Sequence, residues 1–169
     1  DPVKSGNGEA LLVYPSREEW RVMVIKNKYP ALSMESLSIC PALGHEGPYD
    51  TMVASGYHDI VITRDHNNNF PKLGLDDAEE LFKSFRERYK MIETNDCVNY
   101  ISIFHNWGST AGASIYHPHY QIIALAVIPR DISYSLSGSH KYFLENHECV
   151  HCKILNWERE IAKRVIFEN

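Results

Sequence analysis

Phe104-His105-Asn106-Trp107-Gly108-Ser109-Thr110-Ala111-Gly112-Ala113-Ser114-Ile115-Tyr116-His117-Pro118-His119-Tyr120-Gln121 reads as two halves. The front half is small and punctuated by Gly108 and Gly112, with Ser109, Thr110 and Ser114 alongside. Such a loop lets backbone N–H groups approach an anion closely, because glycine adds no side-chain bulk and tolerates unusual φ. In the back half His117, His119 and Gln121 fall two apart, so on a strand they share one face. The apolar run Ile122–Ile128 that follows makes a strand the natural reading. An anion-cradling loop beside two imidazoles and an amide is a layout for phosphoryl transfer.

Outward from this stretch, the chain predicts a mixture of strands and one long helix. Upstream, Val98–Phe104 alternates weakly and feeds the loop as a strand. Before it, Ala78, Leu81, Phe82, Phe85, Tyr89 and Ile92 repeat at helical spacing, predicting a helix over Asp77–Glu93. Asp76 and Glu79 suggest a capping box at its start. Strands are expected at Leu11–Tyr14, Trp20–Ile25 and Tyr57–Thr63, with a long loop over 31–50. Downstream, 131–147 is polar and serine-rich and reads as a loop. Ile154–Arg164 has a helical period, and Val165–Phe167 reads as the start of a strand. The class this implies is α+β.

Composition narrows the chemistry. The 169 residues suffice for one domain with a core, or one domain and part of a second. A net charge of −5 and a pI near 6.0 argue against a nucleic-acid backbone binder, which carries a basic patch or stripe. The longest apolar run is too short to span a bilayer. No secretory signal is visible, and a cytoplasmic location is the expectation. Of the four cysteines, Cys149 and Cys152 form a C-x-x-C, a spacing that suggests metal or redox chemistry. Nine histidines weigh more, since imidazole serves nucleophilic, acid–base and metal roles near neutral pH.

His119 is the first candidate. A lone strand histidine is usually a satisfied core group, but here it sits in His-Pro-His-x-Gln behind a glycine loop. An imidazole attacks an α-phosphorus directly and then departs, provided an acceptor holds its other nitrogen and sets the tautomer. Gln121 bears on the reaction type. An amide has no acidic proton to give a leaving group, yet it holds a non-bridging phosphate oxygen in the transition state. That favours transfer to a second phosphate over hydrolysis. His58 and His105 flank predicted strands and are minor candidates for substrate contact; His45, His140 and His147 read as solvated.

Asn106-x-Gly108-x-x-x-Gly112-x-Ser114-x-x-His117-Pro118-His119-x-Gln121 closely resembles the galactose-1-phosphate uridylyltransferase branch of the histidine-triad superfamily. Asn27-Lys28-Tyr29-Pro30-Ala31-Leu32 is similar to that family's segment near the nucleoside. Gly56-Tyr57-His58-Asp59-Ile60-Val61-Ile62 followed by Asp65-His66 resembles a second of its stretches. The resemblance implies a half-barrel antiparallel sheet flanked by helices. It implies that His119 is the nucleophile and that Gln121 binds the transferred phosphate. Asn106, Gly108, Gly112 and Ser114 would line the phosphate loop, Asn27 would meet the nucleoside, and His66 and His117 would ligate a structural zinc. A nucleotide sugar and a sugar phosphate, or inorganic phosphate, would be the substrates, and a homodimer the assembly.

The pattern departs from the family in two places. The family completes its first zinc site with a C-x-x-C near the N-terminus, and this chain has none before Cys149. Either that pair precedes Asp1 or the site is lost. Cys149-Val150-His151-Cys152 resembles the element that opens the family's second, homologous half. It divides the chain into a nucleotidyltransferase domain, 1–145, and the start of that half or an extension, 146–169. Cys149 and Cys152 are thus metal-ligand candidates, or two reduced thiols in a turn. Tyr120 stands where the uridylyl enzymes often carry a small residue, which weakens an assignment to galactose metabolism. The competing functions are a phosphorylase or hydrolase of nucleotide sugars or dinucleotides, and a non-catalytic half domain that binds nucleotide or zinc.

Overall fold

The alternation around His119 becomes the fourth strand of a five-stranded sheet in a computed structural model, which describes residues 9–33, 40–113 and 115–168. The elements run β1 (Ala10–Tyr14), β2 (Val22–Lys26), β3 (Gly44–Glu46), β4 (Tyr49–Thr51), β5 (Gly56–Thr63), α1 (Leu75–Glu93), β6 (Tyr100–His105), β7 (His119–Leu125), α2 (Arg130–Asn146) and α3 (Val150–Ile161). Strand order is β1-β2-β5-β7-β6, every pair antiparallel. The fold is α+β, as expected.

Each strand divides its residues between two faces. On β7, Tyr120, Ile122 and Ala124 are buried, while His119, Gln121 and Ile123 are half-buried on the other side. The buried set joins Val22, Val24 and Val61 with Leu81 and Ile92 of α1 in one core. Sheet and helix thereby seal a single face, each large aliphatic there contributing about 1.5–3 kcal/mol of burial. The opposite face is left available, and it carries the candidate site.

One ion pair crosses that sealed interface. Arg88 Nε of α1 donates to Asp59 Oδ2 of β5 at 2.7 Å, both side chains nearly inaccessible. Burial pushes the Asp59 carboxyl above its ordinary range, outweighing the opposing pull of Arg88. The start of α1 differs from the expected capping box. Its N-cap is Gly74, with no side-chain cap, and Asp76 and Asp77 lie in the first turn. They meet Arg21 instead, at 3.6 and 2.8 Å, and their charge suits the positive end of the helix.

Three other expectations are corrected. The loop over 31–50 contains the short hairpin β3–β4, turning at Gly47-Pro48. The segment expected as a loop over 131–147 is instead the helix Arg130–Asn146, capped by His147. Its polar side chains bond back along the helix rather than compete with it: Ser139 Oγ to the Ser135 carbonyl, and Asn146 Nδ2 to that of Tyr142. Residues 165–167 form no strand. Cys40 and Cys97, for which no spacing pattern spoke, are joined in a disulfide with Cα atoms 5.0 Å apart.

The chain divides into two units, Asp1–Val127 and Ile128–Asn169. In the second, α2 and α3 are linked by Ser139 Oγ and His151 Nε2 at 3.0 Å, and by Lys153, which meets Tyr142 Oη and Glu148. No described helix is long and apolar enough to cross a membrane.

Candidate functional site

The register of β5, β6 and β7 sets out the open face. Gln121 pairs with Ile60 on one side and Phe104 on the other, and His119 pairs with Ile62. His119 and Gln121 therefore project from the same side, separated by one buried tyrosine. His117 precedes the strand, behind Pro118, which is fully buried.

His119 is held in one tautomer. Its Nδ1 lies 2.9 Å from the carbonyl oxygen of His117. A carbonyl only accepts, so Nδ1 carries the proton and Nε2 keeps its lone pair. The backbone of the same residue is anchored as well: His105 Nδ1–H donates to the His119 carbonyl at 2.8 Å. The His105 ring stacks on Tyr120 at 4.3 Å, with Phe85 on Tyr120 at 5.4 Å. Burial raises the Tyr120 phenol to about 12.

Gln121 meets a residue that the sequence ranked low. His58 of β5, also on the open face, has Nε2 2.8 Å from Gln121 Oε1. Its Nδ1 accepts from the Ala31 backbone N–H at 3.0 Å, and Asn27 Nδ2 lies 3.0 Å from Nε2. Asn27 is bent over the ring by its own turn, its Oδ1 accepting from Tyr29 N–H. Asn27, His58 and Gln121 thus form one connected cluster. The signal in the sequence was faint: His58 sits within Gly56–Ile62, but only the pairing of β5 with β7 brings it to Gln121.

The glycine loop follows β6 through Asn106, which is exposed, into a 3-10 turn over Ser109–Ala111. Gly108 and Gly112 bracket the turn at φ 83° and 76°, a region that L side chains rarely adopt. The N–H groups of Ala111, Gly112 and Ala113 bond to carbonyls within the loop. These three amides hold the turn together, so the anion donors expected of this loop must come from elsewhere in it. Ser114 lies outside the described residues.

His66 and His117 are brought together, their rings stacked at 4.2 Å. His117 Nε2–H donates to the Thr63 carbonyl at 2.8 Å, which leaves Nδ1 as its acceptor. Burial lowers the His117 imidazole below its ordinary value. Tetrahedral zinc takes four donors. Among the described residues no group of three or more His, Cys, Asp or Glu side chains is gathered, so this pair alone does not make the site. Cys149 and Cys152 lie in the other unit, both reduced and exposed at the start of α3. Backbone N–H groups of Cys152 and His151 and the Cys152 thiol lower the Cys149 thiol.

Comparison with known proteins bears on this geometry. Residues 15–129 match the family of galactose-1-phosphate uridyl transferase, N-terminal domain. An ADP-glucose phosphorylase of Arabidopsis thaliana is 36% identical over 137 residues, covering 79% of this chain and 38% of that protein. A galactose-1-phosphate uridylyltransferase of Thermotoga maritima is 31% identical over 147 residues, covering 86% of this chain and 46% of that protein. The crystal structure of an Arabidopsis ADP-glucose phosphorylase with bound ADP-glucose superposes with a TM-score of 0.75 at 31% identity. It covers 89% of this chain and 46% of that one. The chain spans less than half the length of these relatives.

Proposed function

The chain belongs to the galactose-1-phosphate uridyl transferase family, through that family's N-terminal domain, and from this we propose a nucleotidyltransferase working through His119. A nucleoside monophosphate passes from a nucleotide sugar to a phosphate acceptor in two steps. His119 Nε2 attacks the α-phosphorus, the bond to the sugar phosphate breaks, and that phosphate leaves with the electron pair. An oxygen of a second phosphate then attacks the same phosphorus and the imidazole departs. Neither step needs a protonated leaving group, which agrees with an amide at Gln121 in place of a third imidazole.

The single observation that carries this reading is the Nδ1 bond of His119 to the His117 carbonyl, which leaves Nε2 unprotonated on the open face beside Gln121. The phosphorylase variant, with inorganic phosphate as acceptor, draws support from the 36% identity to ADP-glucose phosphorylase. A structural zinc would take His66 and His117 as two donors, with two more required; no step passes through it.

The test is incubation with UDP-glucose or ADP-glucose labelled at the α-phosphorus, with galactose 1-phosphate or inorganic phosphate as second substrate. An acid-labile, base-stable label on His119 is expected, and the acceptor that discharges it identifies the reaction. Turnover by His119→Ala at the full rate would end the proposal. Elemental analysis of the same preparation reads zinc directly, and its loss in His66→Ala would assign that ligand.

A further inference from the structure

We infer that His58 is a positioning residue, which fixes the carboxamide of Gln121 so that its N–H2 group faces the transferred phosphate. The inference rests on the nucleotidyl-transfer reading for its consequence, but its geometric content stands apart from turnover. Ala31 N–H lies 3.0 Å from His58 Nδ1 and has only a proton to offer, so Nδ1 is the acceptor. A neutral imidazole with Nδ1 accepting carries its proton on Nε2. That proton has an acceptor at 2.8 Å, Gln121 Oε1. With its oxygen bound to His58, the amide nitrogen of Gln121 is turned the other way, and one of two nearly isosteric rotamers is chosen.

The opposite assignment keeps one contact and loses two. With Nε2 as acceptor, Asn27 Nδ2 at 3.0 Å would be its donor, since Asn27 Oδ1 is taken by Tyr29 N–H. Were Nε2 the acceptor, Nδ1–H would confront Ala31 N–H, and Gln121 Oε1 would lose its donor. The order matters for function because a flipped Gln121 would present its oxygen to a phosphate oxygen, two acceptors face to face. His58 also joins two parts of the site. Residues 27–31, the loop after β2, hold His58 at its ring through Ala31 N–H and at its backbone through Asn27 N–H, which donates to the His58 carbonyl at 3.0 Å. Anything that orders this loop around a bound ligand therefore orders the Gln121 amide with it.

The experiment has two arms. In the protein labelled at its histidine nitrogens, NMR near neutral pH is expected to show His58 as the Nε2–H tautomer, with its Nε2 resonance moving in Gln121→Ala. The Nδ1–H tautomer, or an Nε2 signal unmoved by Gln121→Ala, would overturn the inference whether or not the chain turns over. In the kinetic arm, His58→Ala is expected to lower kcat by about 10–100-fold, in the range of other groups that orient a site residue. The double variant His58→Ala, Gln121→Ala should be no slower than Gln121→Ala alone, since His58 acts through that amide. His58→Gln, whose amide N–H reaches the place of Nε2, should recover much of the loss. Multiplying losses in the double variant, or no recovery with Gln in a protein of unchanged melting temperature, would reduce His58 to a packing role. If the wild-type chain forms no nucleotidyl adduct, the nucleotidyl-transfer reading falls, and the NMR arm alone decides the fate of His58.

Discussion

Two side chains on β7 show how neighbouring residues serve opposite faces. Gln121 Oε1 lies 2.8 Å from His58 Nε2 on the open face, and under the proposed transfer its amide would meet a phosphate oxygen. Gln121→Ala is expected to cost about 10²–10³-fold in kcat, the range for loss of one preorganised donor, with the nucleotidyl adduct still forming slowly on His119. Steady-state rates and a single-turnover labelling course measure the two separately. Tyr120, one residue earlier, points into the core, and its phenol is raised to about 12 because burial disfavours the phenolate. Its folded-state value lies above the ordinary 10.0, so the stability it contributes is present below pH 10 and is lost as pH rises from there towards 12. A spectrophotometric titration should show Tyr120→Phe losing no phenolate signal relative to wild type until the alkaline end of that window.

At the scale of elements, α1 is attached to the sheet by apolar packing around a buried ion pair. Removing one partner leaves the other buried without its counter-charge. Arg88→Ala is accordingly expected to cost about 3–5 kcal/mol in chemical denaturation, whereas Asp59→Leu with Arg88→Met should cost far less. The helix itself was readable, because Leu81, Phe85 and Ile92 repeat at its period. Its cap was not: Asp76 has the right chemistry for an N-cap, but Arg21, from a distant part of the chain, is its partner. The second helix was hidden for a local reason. Four serines and Gly138 lower helix propensity over Arg130–Asn146, and the spacing of Ile132, Leu136 and Phe143 was too sparse to outweigh them.

Across the first unit, the disulfide Cys40–Cys97 links residues 57 positions apart and ties the segment before β3 to the turn after α1. Closing a loop of that length restricts the unfolded chain, and Cys97→Ser is expected to lower unfolding free energy by about 2–4 kcal/mol, read from denaturant midpoints under non-reducing conditions. Reducing agent should lower the wild type to a similar value. The family resemblance and the identities of His119 and Gln121 as candidates were legible in Phe104–Gln121, because strand periodicity and a glycine-bracketed loop are local properties of the chain; the α+β class needed the helical period over 77–93 as well. The tautomer of His119 depends on a carbonyl two residues away, and the orientation of Gln121 on a histidine 63 positions away. The first could be anticipated from the extended backbone; the second could not. Which strand lies beside which is settled by long-range pairing, and only that pairing brought Asn27, whose backbone N–H donates to the His58 carbonyl, together with His58 and Gln121.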